Sequence, residues 1–126
     1  MDDLVQFLRD RLDEDEQAIE APETWTEFEE STRGTRRVDV DHSFERVTAC
    51  TRAWRGVHIA RHDPARVLRE VDATRRLVHE YAQVADNDID EPYEYAYGWA
   101  NGLGRAVRLL ALPYADHPDY RDDWRP

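Results

Sequence analysis

RVDVDHSFERVTACT, residues 37–51, is the stretch whose reading decides the fold. Arg37-Val38-Asp39-Val40-Asp41 alternates strictly between polar and apolar residues, the period of a half-buried strand. Asp41-His42-Ser43 suits a turn, and Arg46-Val47-Thr48-Ala49-Cys50-Thr51 is rich in residues that fit a pleated backbone. Read so, the stretch is a hairpin and the chain is α+β. The same residues admit a rival reading, because Phe44, Val47, Thr51, Trp54 and Val57 also fall on a 3.6-residue period. One helix over 43–61 makes the chain an all-α bundle instead.

On the C-terminal side the reading is plainer. A short helix over 53–61 would lead into Asp63, a good helix N-cap, and Pro64, which suits the first helical position because its missing N–H has no partner to lose. Val67, Leu68, Val71, Val78, Tyr81 and Ala82 then recur at three- and four-residue spacing and predict a helix over 64–83 with one buried face. Its other face carries Arg66, Arg69, Glu70, Asp72, Arg76 and Glu80, with Asp72 and Arg76 spaced for an i,i+4 ion pair. The acidic run from Asp86 to Pro92 reads as a loop; it lacks the glycine and the terminal glutamate of a calcium-binding loop. A helix over 93–112 follows, with Ala96, Trp99, Leu103, Val107 and Leu110 on one face and Leu112-Pro113 as its stop. The aromatic tail from Tyr114 to Pro126 is expected to pack back.

On the N-terminal side, Leu4, Val5, Leu8, Leu12 and Ile19 mark one face of a helix over 3–19. Acids crowd its second half from Asp10 to Glu20, where they oppose the helix dipole, so fraying beyond Ala18 is expected. Ala21-Pro22 ends it, residues 24–30 form a weak strand candidate, and Ser31-Thr32-Arg33-Gly34 reads as a turn.

Three strings carry a resemblance: MDDLVQFLRDRLDEDE at 1–16, HIARHDPARVLREV at 58–71 and RLLALPYADHPDYRDDWRP at 108–126. In these the chain resembles a family of small actinobacterial proteins, some of them from phages, that constitutes a domain of unknown function. The resemblance implies strands within 37–51, and so an α+β fold, with the all-α bundle as the alternative. It brings no activity, ligand or partner. The chain departs from the family twice. Ala21-Pro22-Glu23-Thr24-Trp25 stands where members carry a Pro-Gly-Pro-Trp type entry, and the linker before Leu109-Leu110-Ala111-Leu112-Pro113 is Tyr-rich and has no cysteine, where members often have cysteines and histidines. A metal role of those residues therefore does not carry over.

Bulk properties narrow the function. A length of 126 residues suits one small acidic domain, 1–126, with 28 acidic residues against 17 basic ones, all arginine, and a net charge of −11. Direct nucleic-acid binding is disfavoured, since phosphate neutralisation needs a basic surface. The single cysteine, Cys50, fits a reducing cytoplasm. Neither a signal peptide nor an apolar run long enough for a membrane span is read in the chain.

His58 and His62 are the two residues with ligand-like spacing, and a divalent metal held by them is the cofactor the sequence leaves open. The glutamate that serves HExxH proteases as general base is missing, so the bland reading is a capping or surface pair. Cys50, Ser31 and Ser43 lack the context of a nucleophile, and no phosphate-binding glycine loop is present. Tyr93, Tyr95, Tyr97 and Trp99, among acids, form the best interaction surface, although helical spacing divides them between faces. The expectation is a non-enzymatic accessory or regulatory protein working through an unidentified protein partner. The alternatives are a metal-dependent binder or hydrolase using His58 and His62, and a nucleic-acid mimic.

Overall fold

In the computed structural model, residues 2–30, 35–50, 52–86 and 94–126 are described. The order is α1 (Asp2–Gln17), β1 (Trp25–Glu29), β2 (Arg36–Val40), β3 (Arg46–Cys50), α2 (Ala53–Arg61), α3 (Pro64–Asp86) and α4 (Glu94–Ala111). Two single 3-10 turns, Leu112–Tyr114 and Asp122–Trp124, follow. The fold is α+β, and the rival helix over 43–61 does not form. The expected turn at 31–34 lies outside the described residues, as do Tyr93, the side chains of Cys50 and Tyr95, and all of the expected acidic loop over 86–92 except Asp86, which ends α3.

The chain forms two compact units, residues 16–70 and residues 1–15 with 71–126. In the first, the three strands make an antiparallel sheet in the order β1-β2-β3. Trp25 lies opposite Val40 and Glu29 opposite Arg36, and the β2–β3 pairing shifts register between Val38 and Asp39. That irregularity breaks the strict alternation read from the sequence. Val38 is fully buried as expected, but Asp39 is also buried, with its carboxylate 3.1 Å from Arg37. Helix α2 packs on all three strands, and Gly56 is its buried residue.

Asp63 joins this sheet to the start of α3. One carboxylate oxygen accepts the Arg66 N–H at 2.9 Å, as an N-cap does, and the other accepts the Trp25 N–H at 3.2 Å. The Ala65 N–H donates to the Glu23 carbonyl at 3.0 Å, and the Trp25 indole N–H to the Glu23 carboxylate at 3.0 Å. The helix start read from the sequence thus also anchors the first strand.

In the second unit, Leu4, Val5, Phe7 and Leu8 of α1 bury against Val78 and Tyr81 of α3 and Val107 and Ala111 of α4. Gly104 lets α4 come close to α3: a Cβ there would lie 3.3 Å from the Tyr81 ring. The tail closes this core. Trp124 is buried, and Phe7 stands 5.1 Å from its ring, 6.0 Å from Tyr120 and 6.4 Å from Tyr114. Helix α1 ends at Gln17, two residues before the expected end at Ile19 and next to Ala18, beyond which fraying is expected. Within the helix the acids find partners: Asp13 pairs with Arg75 at 2.6 Å, Glu14 with Arg11 at 2.9 Å, and Asp15 accepts the Tyr114 hydroxyl at 2.5 Å. Trp99, which helical spacing puts on the apolar face, is about half exposed; the buried line of α4 is Gly104, Val107 and Ala111.

Candidate functional site

Helix α2 brings His58 and His62 together, with ring centroids 4.4 Å apart and planes tilted by 37°. The His62 Nδ1 lies 2.8 Å from the His58 carbonyl oxygen. A carbonyl can only accept, so Nδ1 carries the proton and donates, while the His62 backbone N–H bonds the Ile59 carbonyl at 3.1 Å. Both contacts satisfy carbonyls left open by the last turn of α2. The ring of His62 lies against that of His58, so the pair presents packed faces with one of its four ring nitrogens already engaged. Among the described residues, no third histidine, cysteine, aspartate or glutamate completes a metal-holding group with them. Geometrically the pair is a helix C-cap.

Around this cap sits a feature that sequence spacing did not single out. Trp54 is 63% exposed, and it lines an open recess of about 510 Å³ together with Val57, His58, Arg61, His62 and Arg66. The Arg55 guanidinium stands over the indole, 5.6 Å from the ring centroid. Arg66 bonds the Arg61 carbonyl at 3.0 Å and Glu70 at 2.8 Å, while the Arg61 side chain makes no ion pair among the described residues. The signal was in the sequence as charge segregation. Between Arg52 and Arg69 the chain places five arginines and two histidines against one acid, Asp63, in a protein of net charge −11. Asp63, moreover, is committed to two backbone N–H groups.

Other expected surface residues are placed more simply. Tyr97 and Trp99 are exposed on α4, as is Leu109. At the tip of the β2–β3 hairpin, Phe44 is 76% exposed and holds a positive φ of 59°, as His42 does at 70°. A bulky residue in that region is strained, and Phe44 gains no burial in return.

Among the described residues, Asp41 and Tyr114 have displaced ionisation. The Thr26 hydroxyl, 2.6 Å from the Asp41 carboxylate, and then the Thr24 hydroxyl hold that carboxyl below its ordinary value. Burial, then the hydrogen bond to Asp15 and its charge, push the Tyr114 phenol well above its ordinary value. Both are structural contacts at element ends. No helix among the described residues is long and apolar enough to cross a membrane.

A family model described as a family of unknown function (DUF6221) matches residues 1–126. No curated protein and no solved structure matches the chain.

Proposed function

The chain belongs to that family of unknown function, and on this premise we propose that it is a non-enzymatic accessory protein acting through protein–protein contacts, in a reducing cytoplasm. The observation that carries the reading is the indole of Trp54, left 63% exposed beside a recess and ringed by arginine and histidine. Exposed tryptophan forgoes roughly 25 cal/mol for each Å² of apolar surface left in water. Tryptophan and arginine together are the residue types that dominate binding energy at interfaces. Tyr97, Trp99 and Leu109 add exposed apolar surface on α4. Direct binding of nucleic acid forms no part of the reading, since a net charge of −11 repels a phosphate backbone.

Cross-linking the protein in cells that express it at native level, followed by size-exclusion chromatography, tests this. A defined stoichiometric complex with one other polypeptide is expected. A chain that runs alone at every concentration and cross-links to no polypeptide would refute it.

A further inference from the structure

Helix α2 and the first turn of α3 present a cationic rim around an apolar centre, on a protein that is otherwise strongly acidic. Trp54 and Val57 supply the centre; Arg61 and Arg66 supply the positive charge of the rim, and His58 and His62 its remaining polar edge. We propose that this face is the docking site for an acidic amphipathic segment of a partner protein, with an aliphatic side chain seated beside Trp54 and carboxylates meeting the rim. The proposal rests on the reading of the protein as an interaction module, and names the partner's chemistry and its place of contact.

Size, charge and competition between occupants support this choice. The recess, at about 510 Å³, is open to solvent and leaves room for aliphatic side chains of a docked segment beside Trp54. Arg66 is already paired with Glu70 at 2.8 Å, but Arg61 has no ion pair among the described residues, and the one acid between Arg52 and Arg69, Asp63, spends its carboxylate on the Arg66 and Trp25 N–H groups. Arginine meets carboxylate in a planar, bidentate manner, so acidic side chains at helical spacing suit the rim. A second copy of this chain is a poorer occupant. Its acidic helix α1 already commits Asp13, Glu14 and Asp15 to Arg75, Arg11 and Tyr114. A single-stranded nucleic acid is poorer too. One face of the Trp54 indole already carries the Arg55 guanidinium, and a polyanion long enough to use the rim meets the field of the whole acidic chain.

Fluorescence anisotropy with the full chain provides the test. The probe is a labelled helical peptide with leucines on one face and glutamates at i and i+4. Controls are the same peptide with glutamine for glutamate, and a labelled oligo-dT. The glutamate peptide should bind at low salt, and Trp54→Ala and Arg61→Glu should each weaken it about tenfold, the scale of one interface hot spot. Both side chains are exposed, so far-UV circular dichroism should confirm that the variants fold; if Trp54→Ala does not, Arg61→Glu carries the test. Equal binding of the glutamine peptide, preferential binding of oligo-dT, no binding of the glutamate peptide, or variants that bind as well as wild type would each overturn the proposal. A stoichiometric cellular complex that survives both substitutions would sink this docking site and leave the interaction module standing. The absence of any complex would sink the module itself.

Discussion

Asp63 shows how much one side chain can hold. As a cap alone it is worth about 1 kcal/mol, and its second oxygen adds a charge-assisted bond to the Trp25 N–H of β1. Asp63→Ala should therefore cost about 2 kcal/mol, read as a shift of the denaturant midpoint; a loss of only a few tenths would mean that water replaces both bonds. Asp41 gives a pH-dependent counterpart. Its carboxyl is held low by the Thr26 hydroxyl first and the Thr24 hydroxyl second. A lowered carboxyl favours the folded state at pH above the ordinary value near 3.9, and that contribution is lost as pH falls through the lowered value. Thr26→Val should move the Asp41 midpoint upward in a carboxyl NMR titration, and a midpoint that stays put would assign the shift elsewhere. His58 and His62 make the third case. With one ring nitrogen bonded to a carbonyl and no third ligand among the described residues, added zinc should leave the melting temperature unchanged. A rise of several degrees, abolished in the His58→Ala, His62→Ala double variant, would instead support the metal reading.

At the level of elements, α4 contains an internal control. Gly98, Gly102 and Gly104 all weaken a helix by the same intrinsic amount, about 1 kcal/mol relative to alanine. An added Cβ at Gly102 meets nothing within 4 Å, whereas at Gly104 it lies 3.3 Å from Tyr81, itself buried and unable to swing away. Gly102→Ala should raise stability by about 0.5–1 kcal/mol, while Gly104→Ala should gain nothing or lose, both read by thermal melts. Equal gains at the two positions would show that α3 and α4 are free to part. The sequence alone does not separate these glycines, because propensity is local and close approach belongs to the neighbour. The same divide runs through the rest of the fold. Helix starts, the hairpin turn and the apolar stripe of α3 were legible, since each is set by residues near in sequence. The burial of Asp39 at a register shift and the second bond of Asp63 were not, since each depends on a partner outside its own element. For the site, the His58–His62 spacing drew the eye to the right helix. What surrounds it, an exposed tryptophan amid arginines, was visible only as a charge count over a stretch that had been read for its helix signals.

For the whole molecule, the question is what a net charge of −11 does to stability. Several ion pairs tie the surface together, among them Arg75–Asp13 at 2.6 Å, Arg121–Asp3 at 2.9 Å and Arg76–Asp72 at 2.9 Å. Most of these are exposed, and exposed pairs are each worth about 0–1 kcal/mol. Against them stands repulsion among the excess carboxylates, which acts over longer distances. Salt does not treat the two alike. At about 0.1 M the screening length is about 10 Å, so contact pairs keep much of their attraction while repulsion across the surface is largely removed. The acid groups Asp10–Glu20 and Asp116–Asp123 also contain partnered members, Asp13 with Arg75 and Asp122 with Arg125 among them, which suits scattered acid more than a regular stripe imitating phosphates. Added sodium chloride should thus raise the melting temperature by about 3 °C, equivalent to about 1 kcal/mol for a chain of this size. Sodium sulfate is the wrong salt for this test, because it stabilises by exclusion whatever the charge. A melting temperature that falls as sodium chloride is added would mean that the ion pairs outweigh the repulsion, and that the acidic surface is organised rather than merely abundant. Competition with duplex DNA for a basic protein, lost at high salt, would then be the measurement that decides whether that organisation imitates a nucleic acid.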